Sequence, residues 1–289
     1  MTSLQPTSSL TRWAFLAACA AGVVWTPSRV DGQAPTYEIQ AVRYGSIEAF
    51  PVSSLVRGAP ADERMDIDLV FWVIRGGDRL VLFDSGFHKA VWFDRFQITD
   101  FILPSEAVRL VGIEAGDVTD VIVSHAHWDH MGSIDQFPNA KIWIQAEEYA
   151  YYTGPAWQDG GTGGGADPDD VLELVRRNTL GQVGLVAGDN VEVLPGIRAY
   201  TGARHTFASQ YISVAGDPIY VLASDNAYLY RNLREGRPVA TFVRADTAAN
   251  KEALARMIEL AGDTSHVVPG HDPMQFQRFP TEGRVARIR

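Results

Sequence analysis

Residues 124–130 read Ser-His-Ala-His-Trp-Asp-His, so three of the seven histidines in a 289-residue chain, and one aspartate, fall within six positions. A neutral imidazole is the commonest protein ligand of zinc, and a carboxylate beside imidazoles suits a divalent ion. The stretch follows the apolar run Val121, Ile122, Val123, which reads as the end of a strand. Beyond a strand end, alternate side chains share a side, so His125 and His127 can grip one ion together. Asp129 and His130 are adjacent, in a chain turning into a helix near Met131, and can face a second ion.

Four groups cannot fill two coordination shells, so the pattern demands donors downstream. His205 in TGARHTF and His271 in VVPGHDP each follow a strand-like run. Asp225 closes the apolar run 219–223, and its two oxygens can bridge two ions. His88 and His266 read instead as packed or surface residues. Two ions about 3.5–4 Å apart can share a hydroxide, because metal-bound water ionises near pH 7. That chemistry cleaves esters and amide-like bonds and needs no serine nucleophile.

The elements that must position these groups alternate along the chain. Residues 67–74 and 80–84 are apolar runs joined by Gly76 and Gly77, a hairpin signal. The first run is apolar at both parities, as expected of a strand covered on both faces. Further strands are expected at 119–124, 141–145, 190–194, 197–201, 210–215 and 219–224. Helices are expected from Asp169 to about Asn178, capped by Asp167 and Pro168, and from Thr247 to Ala261, ended by Gly262. The glycine run at 160–165 reads as a mobile surface loop outside any packed element. Interleaved strands and helices without a long linker after residue 36 predict one layered α/β domain.

The ordered donor set, H-x-H-x-D-H, then His205, Asp225 and His271, each at a strand end, resembles that of the metallo-β-lactamase superfamily. The likeness spans residues 37–280 and includes LVLFDSG at 80–86, which looks like the family's strand and D-[ST]-G turn. It implies a four-layer αββα sandwich with the site at one edge. It also implies that His125, His127 and His205 hold one metal, that Asp129, His130 and His271 hold the other, and that Asp225 bridges them. The implied cofactor is a pair of divalent ions, zinc first, with iron, manganese and cobalt also compatible with imidazole and carboxylate.

Within the superfamily the residues point to a branch. Lactam-cleaving members carry Cys or Ser at the bridging position, and here it is Asp225. Tyr228 lies three residues later, the spacing of N-acyl homoserine lactonases, where the phenol is thought to stabilise the lactone oxygen. The resemblance therefore implies a dinuclear lactonase in which metal-bound hydroxide opens an acyl homoserine lactone or similar ring, with Tyr228 and Asp129 as catalytic residues. Trp128, Phe207, Phe87 and Trp92 are the candidate substrate walls. Three alternatives stay open: an exported lactamase, a glutathione thioesterase or persulfide dioxygenase, and a metal-stabilised protein without catalysis.

The first 35 residues differ in character. The uncharged run from Trp13 to Trp25 follows Arg12 and is too short for a bilayer-spanning helix, but it fits a signal-peptide core. Residues 1–34 are thus expected to be an export signal, with a lipobox-like Leu-Ala-Ala-Cys ending at Cys19, and residues 35–289 the hydrolase domain. A periplasmic or secreted location follows, membrane-anchored only if Cys19 is lipidated, and a homodimer stays open. Cys19 is the only cysteine, so no internal disulfide can form. The net charge of −10 without a basic stripe argues against a nucleic-acid partner.

Overall fold

The computed structural model describes residue 2 and residues 35–161, 163–202, 205–240 and 246–289. The chain partitions into residues 1–33 and 34–289, and all that follows concerns the second unit. The expected export segment, Cys19 included, lies outside the described residues apart from Thr2. No helix among the described residues is long and apolar enough to cross a membrane.

Fourteen strands build two sheets among the described residues. The first seven are β1 (Glu38–Pro51), β2 (Arg64–Gly76), β3 (Arg79–Phe83), β4 (Ile98–Thr99), β5 (Asp120–Ile122), β6 (Lys141–Gln145) and β7 (Val183–Val186). They are followed by β8 (Val191–Leu194), β9 (Ile197–Thr201), β10 (Gln210–Val214), β11 (Tyr220–Ser224), β12 (Val267–Pro269), β13 (Thr281–Glu282) and β14 (Val285–Arg287). The larger sheet runs β13-β14-β1-β2-β3-β5-β6-β7, with β4 added beside β1, and the smaller runs β12-β11-β10-β9-β8. From β3 to β7 the larger sheet is parallel, and β11 and β12 are parallel in the smaller one. In open α/β sheets the loops outside the carboxyl ends of parallel strands are where ligands bind, and here both sheets place such ends at one edge.

The doubly apolar run at 67–74 behaves as its pattern predicts. Ile67, Leu69, Phe71 and Val73 pack outward under the helices, whereas Val70, Trp72 and Ile74 pack inward against the second sheet. Inward residues of both sheets, including Phe83, Ile122, Ile212, Leu222 and Val268, form the middle of the sandwich. Outside the smaller sheet, Leu254, Met257 and Ala261 of a helix at Thr247–Ala261 close the outer face. The result is the four-layer αββα sandwich.

Most expected elements are present within a residue or two. The helix at Pro168–Thr179 is capped by Asp167, whose side chain accepts from Asp169 N, and Gly262 ends the helix at Thr247–Ala261 in the left-handed region. The largest omission from the sequence reading is β1, whose fourteen residues alternate weakly and carry two bulges, between Arg43 and Gly45 and between Ile47 and Phe50. Bulges bend a strand and re-aim its side chains, which blurs the period-two signal.

Trp72 is fully buried at the centre of the sandwich, and its Nε1 donates to Gln275 Oε1 at 3.2 Å. Trp72→Ala is expected to lower stability by about 3–5 kcal/mol, through lost burial and a residual cavity. Urea unfolding followed by far-UV circular dichroism checks it.

Candidate metal centre

The carboxyl ends of β5, β11 and β12 and the loop after β9 bring the seven expected donors together. The donors fall into two groups: His125, His127, His205 and Asp225, and Asp129, His130 and His271. Asp225 stands between them. Its Oδ2 lies 3.3 Å from His205 Nε2 and 3.6 Å from His125 Nε2. Its Oδ1 lies 3.0 Å from His271 Nε2 and 3.3 Å from His130 Nε2. One carboxylate thus turns one oxygen to each group. His127 Nδ1 is 3.0 Å from His205 Nε2, and Asp129 Oδ2 is 3.5 Å from His130 Nε2 and 3.7 Å from His271 Nε2.

Hydrogen bonds behind the rings decide which nitrogen faces inward. His130 Nδ1 donates to Asp84 Oδ2 at 2.9 Å, and His271 Nδ1 donates to the Asp68 carbonyl at 2.8 Å. His125 Nδ1 meets Ser124 Oγ at 2.8 Å, and Ser124 Oγ donates onward to Asp84 Oδ2 at 3.0 Å. Ser224 Oγ also donates to Asp84 Oδ2, at 2.9 Å. With Nδ1 protonated, each of these rings turns the lone pair of Nε2 to the interior, the tautomer a metal ligand needs. Asp84 therefore gathers groups from β3, β5 and β11 around one carboxylate.

Close backbone approach is part of the construction. A Cβ on Gly270 would lie 2.8 Å from Asp225 Oδ1, so only glycine lets His271 swing in beside that carboxylate. The expectation of a detached glycine loop is corrected here. Gly163 is buried, the Gly165 carbonyl accepts from Trp128 N at 3.1 Å, and a Cβ on Gly165 would press within 2.9 Å of the His127 ring. The His127 ring also donates to the Gly164 backbone. The end of the loop borders the site, where Gly165, at positive φ, allows close approach to His127.

The electrostatics sort the donors. Burial, reinforced by neighbouring imidazoles, holds His125 well below the usual histidine range and takes His205 down to about 3. Burial takes His127 down to about 4 against the pull of Asp129 and Asp225. These rings are neutral and available as ligands at neutral pH. For His130 and His271 burial acts the same way, but the carboxylates around them outweigh it and raise both. Asp225 and Asp129 are lowered, because His130 and His271 together overcome the burial that would raise them.

The buried Nε2 of His125 has no hydrogen-bond partner among the described residues, and His130 Nε2 and Asp225 Oδ1 meet only other members of the donor set. Polar atoms so buried are normally satisfied. Here they converge, as two donor sets that share a carboxylate, and two divalent cations are the partners that satisfy both at once. The residues present fit a dinuclear metal centre.

The family model described as the metallo-beta-lactamase superfamily matches residues 70–271, which enclose every donor. The chain belongs to the metallo-β-lactamase superfamily. Among curated superfamily relatives, the N-acyl homoserine lactonase AttM of Azorhizobium caulinodans is 29% identical over 190 residues, 60% of this chain and 65% of the relative. AttM of Rhizobium johnstonii is 28% identical over 180 residues with the same coverage, so the chain spans about 65% of the length of these relatives. The N-acyl homoserine lactonase AiiB of Agrobacterium fabrum is 26% identical over 233 residues, 73% of this chain and 82% of that one. A quorum-quenching N-acyl homoserine lactone lactonase of known structure superposes with a TM-score of 0.69 at 18% identity, covering 84% of this chain and 95% of the other. The dizinc quorum-quenching lactonase AidC superposes at 0.60 with 18% identity, covering 83% and 89%. At these identities the structural matches establish the shared fold.

The candidate walls are partly corrected. Trp128 does line a narrow cavity of about 90 Å³ beside Asp129, Asp225, Tyr228 and His271. Trp92 lies behind it, stacked on Trp128 at 4.9 Å, and Phe87 meets Trp128 edge-on at 4.5 Å, so both are packing that holds the wall. Phe207 stacks on Tyr151 at 4.2 Å and lines a different cavity. The walls the sequence did not reveal are Ile47, Phe50, Leu55, Ile67, Leu69 and Phe96. The bulge between Ile47 and Phe50 sits at this cavity, and bulges are not visible in composition. His88 and His266 stay outside both donor groups, as expected.

Asp129→Asn and His205→Ala are each expected to lower bound metal by about one equivalent from two, one in each group, while far-UV circular dichroism is retained. Elemental analysis of protein prepared without chelator checks both.

Proposed function

We propose that this protein is an exported, dinuclear zinc-dependent N-acyl homoserine lactonase. The observation that carries the reading is the placement of Tyr228 at the junction of the donor groups and an apolar slot. Its Oη lies 3.3 Å from His205 Nδ1, and its ring faces His271 at 5.7 Å. Burial, with the nearby charges of Asp225 and Asp129, raises the phenol well above its usual range, so it stays protonated and can donate. A donor aimed at an oxygen that gains charge in the transition state is the oxyanion-stabilising arrangement.

His125, His127 and His205 would hold one ion, Asp129, His130 and His271 the other, and Asp225 both. When bound, such a pair supplies Lewis acidity toward a carbonyl oxygen and lowers the pKa of a coordinated water. Asp129 is the more exposed of the two carboxylates, at 12% against 4% for Asp225. Its Oδ2, kept anionic by His130 and His271 against the effect of burial, is placed to take a proton from the nucleophile and return it to the departing ring oxygen. Trp128, Phe96, Ile47, Phe50, Leu55, Ile67 and Leu69 supply the apolar walls that an acyl chain requires.

Two features favour this reading over the thioesterase. Among the described residues the cavity lining holds no lysine or arginine to pair with the carboxylates of glutathione, and Tyr228 follows the bridging carboxylate by three residues. The AttM and AiiB relatives named as N-acyl homoserine lactonases support it further. The uncharged run from Trp13 to Trp25 supports export to the periplasm or beyond. Export also suits a lactamase, which makes a cephalosporin the natural counter-substrate.

A pH-indicator assay against acyl homoserine lactones, a chromogenic cephalosporin and a glutathione thioester tests the reaction class. Turnover of the lactones alone is expected, and turnover of the cephalosporin alone would overturn the proposal. Tyr228→Phe should keep two metal equivalents and lose roughly 10²–10³-fold in kcat, the usual effect of deleting one oxyanion donor. Full activity in that variant would remove Tyr228 from the mechanism.

A further inference from the structure

Two buried carboxylates stand behind the donor groups without belonging to either. Asp84 is tied to His130 and, through Ser124, to His125. Glu148, on the helix at Ala146–Tyr152, directs its hydrogen bonds to two backbone amides and a hydroxyl. Its Oε1 accepts from Ala126 N at 3.0 Å and from Thr206 Oγ1 at 2.6 Å, and its Oε2 accepts from Ala208 N at 2.6 Å. Ala126 is the residue between His125 and His127, and Thr206 directly follows His205. One carboxylate thus binds together the two backbone segments that carry all three histidines of the first donor group. One segment follows a strand of the larger sheet and the other connects two strands of the smaller.

Glu148 is fully buried, and no lysine or arginine pairs with it among the described residues. All three of its recorded partners are neutral donors. A buried carboxylate without a cation is a poor choice if the only task is to join two loops, since a neutral acceptor costs less to desolvate. Burial raises its carboxyl to about 7 against the pull of those three donors, and a cation just beyond the imidazoles would favour its ionised form. Its bonds restrain segments rather than rings, so it acts on His125, His127 and His205 jointly and has no recorded contact with Asp129, His130 or His271.

We propose that Glu148 is a positioning residue for one ion of the pair, the ion of His125, His127 and His205. It presents the three imidazoles as a unit through its bonds to Ala126, Thr206 and Ala208, and the second ion does not depend on it. The inference rests on the two donor groups and is independent of the substrate. Outer hydrogen-bond partners of metal ligands typically contribute 10- to 100-fold in metal affinity.

The test is a stepwise zinc titration of chelator-stripped full-length protein against a competing indicator, for wild type, Glu148→Gln, Thr206→Val and His205→Ala. Glu148→Gln is expected to bind one equivalent with wild-type affinity and the other 10- to 100-fold more weakly. Thr206→Val, which removes one arm and leaves the carboxylate, should weaken that same equivalent by a smaller factor. His205→Ala combined with Glu148→Gln should lose nothing beyond His205→Ala alone. Thermal melts of the metal-free forms identify the variants that fold, and Thr206→Val carries the test if Glu148→Gln does not. Equal weakening of both ions, or unchanged affinity for both, in a folded variant overturns the proposal.

Discussion

The structure turns on one buried carboxylate shared between two sets of imidazoles. Asp225 is almost completely buried, and its two oxygens face opposite groups of donors at 3.0–3.6 Å. In a medium of low effective dielectric each such approach is strong, and each donor left unmatched is costly. Without cations, His130 and His271 are raised toward their charged forms by the surrounding carboxylates, while His125, His127 and His205 are driven neutral. The protein alone thus settles into an uneven charge distribution, with one group of rings ready as ligands and the other competing for protons. Two divalent ions remove that unevenness, since all five rings can then be neutral and both carboxylates ionised.

Holding such a centre requires sheet edges to meet with little tolerance. Gln210 N donates to the Ser124 carbonyl at 2.8 Å, and the Gln210 side chain donates to the Val123 carbonyl at 2.7 Å, stitching the smaller sheet to the larger directly under the first histidine. Asp84 and Ser224, both at positive φ, then terminate β3 and β11 with their side chains turned to one another. Non-glycine residues in that region are uncommon and need support from their surroundings. Here the support is the same hydrogen-bond network that orients His125 and His130. Fold and site therefore share their constraints.

How much of this the sequence disclosed follows from the physics of each signal. All seven donors could be read because imidazole and carboxylate have few reasons to cluster at strand ends, and the helix at Thr247–Ala261 could be read because its apolar period is undisturbed. Asp84 was visible only as part of a turn, and Glu148 not at all, since a glutamate in Gln-Ala-Glu-Glu-Tyr looks like any solvated helix start until tertiary structure buries it. The apolar walls failed for another reason. Phe87 and Trp92 are aromatic and near the site in sequence, yet their rings face away behind Trp128, while Ile47, Phe50 and Leu55 come from the bulged first strand and the turn after it. Proximity along the chain predicts donors better than walls, because donors must converge on a point and walls need only cover an area.

That difference bears on how the molecule divides its work. The donors sit on loops at the ends of β5, β9, β11 and β12, fixed by Asp84, by the Asp68 carbonyl and by glycines that permit close approach. Much of the apolar wall rises instead from β1, β2 and the chain between them, with Trp128 and Phe96 facing it. Changing Phe50 or Leu55 would reshape the slot without touching a hydrogen bond that orients a metal ligand. The exception is Trp128, which lies one position from both His127 and Asp129. Its ring lies 4.9 Å from those of Trp92 and Phe96, which stack on each other at 6.1 Å, and 4.5 Å from that of Phe87. Stacked aromatic contacts of that kind add rigidity beyond the area they bury. The one wall residue embedded among the donors is therefore braced by three aromatic rings, as expected if reshaping the slot there would also move the metals.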